Sequence, residues 1–275
     1  MKRRYTRKTA IFEVVMIATT LFLAFPLYIA VSSAFKTEQQ VYASPLGLPS
    51  PVKFGNFREA WNGADMGQAF LSTTIITVIS VLGLVVFGSL AGYVIARRRQ
   101  RLSTIAYYGF LVGLLLPPLL TLIPLYTMIR DAGLLGTYWS LIIVYIGGQM
   151  PFTIFLFAGF MRSLPPVYEE AAMVDGASTW NIYVRIVLPL IRPIVGTVII
   201  LNAVFIWNDF LNPLLYLAGS GKQTLAVSIY SFVGVYSTQW SLIFAGVVMA
   251  ALPMIGVFFL LQRSFLRSFG AVLKG

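Results

Sequence analysis

Glu169, Glu170, Ala171 and Ala172, followed by Asp175 and Gly176, have types and spacing suited to docking, not to bond chemistry. They lie in 162–189, a polar interruption between two long apolar stretches. Pro165 and Pro166 precede them and suit the start of a helix. Glu169 and Glu170 then fall in its first turn, where the helix dipole favours acids. Gly176 is placed to stop or bend that helix. Ala171 and Ala172 leave the surface nearly bare, so the helix can lie deep in a groove, and Met173 and Val174 add modest apolar contacts. The acids at 169, 170 and 175 can pair with basic residues of a partner. The pattern by itself describes a docking knob and a short amphipathic helix at a membrane surface equally well.

Catalytic chemistry has little to work with. The chain contains no cysteine and no histidine, so thiolate sites, disulfides and the commonest general base are excluded. No metal site is expected. Gly219-Ser220-Gly221-Lys222-Gln223-Thr224 imitates the end of a phosphate-binding loop, but the motif needs glycine where Tyr216 stands and Ser or Thr where Gln223 stands. It reads as a turn, and the chain is not expected to bind or hydrolyse ATP.

The elements that must carry the knob are membrane helices. Of 275 residues, 58% are hydrophobic and 11% charged, with mean hydropathy +0.83. Soluble domains carry about a quarter charged residues. Apolar runs of the length that spans a bilayer recur at about 11–33, 70–96, 104–129, 138–161, 190–217 and 241–262. The expected fold is all-α, one transmembrane domain over 1–275. The first run is longer than a signal-peptide core and reads as an uncleaved span.

The net charge of +11 does not point to nucleic acid, because the cations are segregated. Residues 2, 3, 4, 7, 8, 97, 98, 99, 101, 162, 185, 192, 263, 267 and 274 fall on one side of the six-span topology. Only Lys36, Lys53, Arg58, Arg130 and Lys222 fall on the other. The positive side faces the cytoplasm, so both termini and the 162–189 loop are expected inside, with the basic clusters anchoring to anionic lipid.

Residues 34–69 are expected outside, without long regular elements because of Pro45, Pro49 and Pro51. Their aromatics describe either a bent interfacial connector or a contact for a partner. Gly88-x3-Gly92 and Gly109-x3-Gly113 are expected to pack helices inside the domain. Pro117, Pro118 and Pro124 in span three, and Gly147-Gly148-Gln149-Met150-Pro151 in span four, predict broken helices. Gln149 then either lines a path or bonds a freed carbonyl.

Span five carries Asn202, Trp207, Asn208, Asp209 and Asn212. From a start near 190, Asp209 lies roughly 19 residues along, about 28 Å at ~1.5 Å per residue, close to the outer interface. Trp207 has a flat apolar face suited to stacking on a sugar ring. Gln149, Trp207, Asn208, Asp209 and Asn212 are the substrate-pathway candidates; an interfacial helix end is the competing reading.

The spacing E-A-A-x3-G-x9-I-x-L-P, from Glu170 to Pro189, resembles the loop that marks membrane subunits of binding-protein-dependent ABC importers. The segments 124–142, 151–178, 186–197 and 207–215, with FKTEQQ at 35–40 and GNF at 55–57, extend the resemblance to the maltose-type second permease of carbohydrate importers. That resemblance implies a prokaryotic plasma-membrane protein forming half of a sugar path. It implies a homologous second permease, a cytoplasmic ATPase dimer holding ATP and Mg, and an extracytoplasmic solute-binding protein. Glu170 to Gly176 would form the coupling helix, with Glu169, Glu170, Ala171, Ala172, Asp175 and Gly176 the residues that couple to the ATPases. The tail 268–275 resembles a tail that can reach the ATPases, here shortened. The competing class is a secondary transporter of a small polar solute, which needs a buried acid or histidine for ion coupling.

Overall fold

Long apolar runs with few charges can satisfy backbone polarity only within themselves, and the chain is accordingly almost all helix. The computed structural model describes residues 7–98, 100–234 and 237–272, with side chains described to Gln262. The expected cations at 2, 3, 4, 99, 263, 267 and 274 and the tail side chains of 268–275 fall outside those described. Among the described residues there is no strand, only an isolated bridge between Val233 and Thr238.

The helices are α1 Arg7–Ala34, α2 Glu38–Ala43, α3 Gly55–Gly63, α4 Met66–Arg97, α5 Arg101–Leu115, α6 Pro118–Asp131 and α7 Tyr138–Ser163. Then follow α8 Val167–Val174, α9 Thr179–Ile182, a π-helical turn Tyr183–Val187, α10 Leu188–Leu190, α11 Arg192–Trp207, α12 Leu211–Tyr216, α13 Leu225–Tyr230 and α14 Trp240–Val272. α1, α4, α7 and the Trp240–Gln262 part of α14 are each long and apolar enough to cross a membrane. Two further helix pairs are long and apolar enough only when taken together, each a broken span or a re-entrant loop: α5 with α6, bent by 103°, and Thr179–Leu190 with α11, bent by 73°.

The boundaries follow local chemistry. The α5–α6 break falls at Leu116 and Pro117, where Pro118 opens the next helix. The expected break in span four does not occur. α7 continues through Gly147, Gly148 and Pro151, so the glycines and proline are absorbed within one helix. Span five is shorter than 190–217: α11 ends at Trp207 and α12 restarts at Leu211.

The chain divides into two compact units. The first holds Met1–Gly67 with Ser228–Leu252. Its centre is the FKTEQQ segment, which is an ordered corner. Thr37 and Gln40 form a capping box on α2. Lys36 is buried, and its Nζ donates to the carbonyls of Ser44 (3.0 Å) and Pro45 (2.7 Å). That burial pushes its ammonium below its ordinary pKa. The amide of buried Asn56, from the GNF motif, donates to the carbonyls of Ala34 and Lys36. The apolar side chains of α1 face outward, with Phe22 at 77% exposure.

The second unit holds Gln68–Val227 with Pro253–Gly275. Gly83, Gly88 and Gly92 on α4 lie against Ile146, Thr153 and Phe157 on α7, in the same order along both helices. α4 and α7 therefore run parallel. Gly88 and Gly92 pack internally, as their spacing predicts. On α5, Gly113 meets Pro151, and Tyr107 meets Arg162, so α5 runs antiparallel to α7. Gly109 has nothing within 4 Å of its Cβ position among the described residues, so it makes no close helix contact within the chain, unlike the expectation. α11 is also antiparallel to α7: Asn202 Nδ2 reaches Thr153 Oγ1 at 3.3 Å, and Ile194 and Val198 cluster with Phe157. Ile129, near the end of α6, packs in the cluster of Leu141 and Tyr145, at the start of α7. The pair α5–α6 thus carries the chain from one end of the unit to the other, in spite of its bend.

Candidate functional site

At the basic end of the second unit, the 162–189 segment folds as the spacing predicts. Pro166 N-caps α8, and Glu169 and Glu170 stand in its first turn. Gly176 ends it with φ +80°, a left-handed conformation that costs a residue with a Cβ about 1 kcal/mol or more. The Ala177 amide then reaches back to the Ala172 carbonyl at 2.9 Å, closing a Schellman-type turn. Ser178 caps α9 through the Asn181 amide. Pro189 has no amide hydrogen to continue the ladder, and the preceding turn widens to π geometry over Tyr183–Val187.

The three acids do different things. Glu169 is buried, so it does not face a partner, which corrects the expectation for that residue. Its Oε2 accepts from the Tyr93 hydroxyl at 3.0 Å, and its Oε1 lies 2.7 Å from Arg97 Nη2 and 2.8 Å from Arg97 Nε. Arg97 also donates to the Leu164 carbonyl. One turn further back, Ser89 pairs with the Tyr183 hydroxyl at 2.7 Å. Ser89, Tyr93 and Arg97 stand four residues apart on α4, one polar stripe that grips the whole segment. Arg97 is therefore a clamp, not the lipid anchor its cluster suggested.

The other face of α8 is open. Glu170, Ala171, Met173, Val174 and Asp175 are exposed, Val174 at 88%. Glu170, Met173 and Val174 share one side of the helix at i, i+3 and i+4. Ala172 packs inward on the cluster of Tyr183 and Val187. The segment is a short helix fixed on one face and presented on the other.

At the opposite end, Asp209 sits in the α11–α12 break. Its Oδ2 accepts from the Tyr145 hydroxyl at 2.9 Å and Asn212 Nδ2 at 2.6 Å. Its Oδ1 accepts from the Leu211 and Asn212 amides, which caps α12. This cap is the physical reason span five breaks. Asn208 is exposed, and its amide donates back to the Val204 carbonyl. Trp207 is 8% exposed, with its ring 6.4 Å from that of Phe70, so it does not present a free face for stacking. Gln149 is half-buried, its side chain has no hydrogen-bond partner among the described residues, and it adjoins Gly147 and Gly148, which open onto empty space. The structure thus bonds Asp209 to Asn212 with Asn208 beside them, gives Trp207 a ring neighbour in Phe70, and sets Gln149 one turn along α7 from Tyr145, the donor to Asp209.

Sequence reasoning missed Tyr145, the donor to Asp209, and a second polar cluster at the same end. There Gln68 and Ser72 meet the Tyr138 hydroxyl at 3.1 and 3.0 Å. Lys222 lies 5.5 Å over the Tyr138 ring and donates to the Gly136 carbonyl. The imitation phosphate loop is a turn, with Gly219 and Gly221 both at φ +71°.

Residues 85–269 match the family described as "binding-protein-dependent transport system inner membrane component". The chain belongs to that family. The match covers the later part of α4, all of α7, the gripped α8 segment and α11. A relative of similar length, the melibiose/raffinose/stachyose import permease protein MelC of Bacillus subtilis (strain 168), is 39% identical over 250 residues, 90% of each chain. The diacetylchitobiose uptake system permease protein NgcG of Streptomyces coelicolor is 32% identical over 271 residues, 98% of this chain and 89% of that one. A chain of a bacterial ABC transporter that imports the acidic polysaccharide alginate superposes with TM-score 0.81 at 22% identity, covering 95% of this chain and 99% of that one. The chain is therefore the transmembrane subunit of an ABC importer, an inner-membrane component as the sequence implied.

Proposed function

We propose that the chain forms half of the path of a carbohydrate importer, with six spans and both termini in the cytoplasm. The sugar class rests on the names of its relatives. The six-span count is supported by the parallel packing of α4 and α7: the chain must return between them, so α5–α6 acts as one broken span. The segregation of the cations supports a cytoplasmic α8.

In this reading a cytoplasmic ATPase dimer, carrying ATP and Mg, grips α8 of this subunit and its counterpart on a homologous second permease. A solute-binding protein delivers sugar to the far end. The observation that carries the proposal is the two-faced α8. Its inner face is bolted to α4 by Glu169, Tyr93 and Arg97, so displacement of its outer face moves a spanning helix rather than a slack loop. Asn208, Asp209, Asn212 and Gln149 are assigned to the solute path; Trp207 supports the helix behind them through Phe70.

The test is ATP hydrolysis and sugar uptake by the assembled transporter carrying Glu170→Lys. The expected result is normal insertion with hydrolysis disconnected from uptake. Unchanged coupling contradicts the role given to α8.

A further inference from the structure

We propose that a cavity beside α8 binds the phosphodiester headgroup of an anionic membrane lipid. The cavity, of about 730 Å³, is lined by Arg97, Arg98, Thr104, Arg162, Leu164 and Glu170 among others. It lies where α4 ends, α5 begins and α7 ends.

The charges around it are not equivalent. Arg97 is neutralised by Glu169. Arg98 is exposed, and its side chain makes no hydrogen bond or ion pair among the described residues. Arg162 stacks its guanidinium 4.2 Å from the Tyr107 ring centroid, which fixes the group while leaving its N–H donors at the plane's edge. It has no carboxylate partner among the described residues. Glu170 is the opposing charge on the wall. Two unpaired guanidiniums can each fork onto phosphate oxygens, a geometry that ammonium groups do not reproduce.

The surroundings favour an amphiphile over a free anion. Leu102, Ile105 and Tyr108 on α5 are 75%, 66% and 61% exposed, so acyl chains have an apolar wall leading from the cationic mouth. Basic pockets between helix ends at a membrane surface take anionic headgroups for this reason. Because Glu170 lines the same cavity, the occupant touches the helix assigned to coupling. A lipid there is placed to set how α8 sits before an ATPase engages it.

The test is native mass spectrometry of the full transporter, titrated separately with phosphatidylglycerol, phosphatidylcholine and inorganic phosphate. Sugar uptake by the same samples reports on the proposed function independently. The expected result is preferential retention of phosphatidylglycerol. Arg98→Ala with Arg162→Ala should weaken it about 30-fold, roughly fivefold per arginine. The double lysine variant should weaken it less, and Arg130→Ala should change nothing. If the double alanine variant fails to assemble, Arg98→Glu alone, at an exposed and unpartnered position, should still lower retention. Equal retention of the two lipids, unchanged binding in the arginine variants, or occupancy by inorganic phosphate in place of lipid overturns the proposal.

Discussion

Arg97 Nη2 lies 2.7 Å from Glu169 Oε1, joining the last turn of α4 to the first turn of α8. Both side chains are largely sequestered, at 19% and 6% exposure, whereas the Lys53–Glu59 and Arg130–Asp131 pairs are open to solvent. Removing one partner of a sequestered pair strands the other charge, which costs up to ~3–5 kcal/mol. Glu169→Ala is therefore expected to lower the unfolding midpoint in detergent clearly. Glu170→Ala, an exposed position, should stay within about 0.5 kcal/mol. Equal effects of the two would show that the clamp does not hold α8.

The α4–α7 contact makes a sharper prediction from two glycines of the same type. A Cβ at Gly92 would stand 2.7 Å from Phe157 Cβ and 3.2 Å from the Ala158 backbone nitrogen, and backbone cannot step aside. Gly92→Ala should destabilise by ~1–3 kcal/mol through overpacking. Gly109→Ala, in open space, should be neutral or slightly stabilising as helix propensity improves. Thermal unfolding of the two variants side by side checks this.

Asn208 and Asp209 are neighbours with separable roles. Asp209→Ala removes the α12 cap and leaves the Tyr145 hydroxyl without its acceptor, so it should cost ~1–3 kcal/mol as well as uptake. Asn208→Ala loses only a back-bond to its own helix and should leave stability unchanged while lowering sugar uptake. Unchanged uptake in a normally assembled Asn208→Ala transporter removes that residue from the path.

Glu38 accepts from the Trp240 and Ser241 amides at 3.0 Å each and from the Ser241 hydroxyl at 2.8 Å, holding the start of α14. Its loss is the loss of a helix cap, ~0.5–2 kcal/mol. Glu38→Ala should speed amide hydrogen exchange in the first turn of α14, with Glu38→Gln intermediate. Identical exchange in all three would show that the carboxylate does not cap α14.

How much was legible in the sequence depended on how local the cause was. Pro166 and Gly176 mark the two ends of α8 because proline opens helices and glycine tolerates positive φ, and both act within one turn. Gly88 and Gly92 advertise a close helix contact by spacing alone. The direction of Glu169 was not readable from its neighbours, since Glu169 and Glu170 differ only in which side of α8 they occupy. The readable clue lay elsewhere, in Ser89, Tyr93 and Arg97 at four-residue intervals on an apolar helix. Trp207 misled for the same reason: an aromatic at the end of an apolar run suits an interface, and only tertiary packing against Phe70 buries it. Pro151 suggested a break, yet α7 runs unbroken through it.

The most direct test of the account uses the absence of cysteine from the chain. A single Val174→Cys substitution on the open face of α8 should cross-link to the ATPase subunit in the assembled transporter, more strongly or weakly as ATP is added. A cysteine at Gly221, in the far-end turn, should not cross-link to it. If Val174→Cys instead reacts with a membrane-impermeant thiol reagent in intact cells, or the ATPase is captured from position 221, α8 does not face the ATPase and the coupling assignment is wrong.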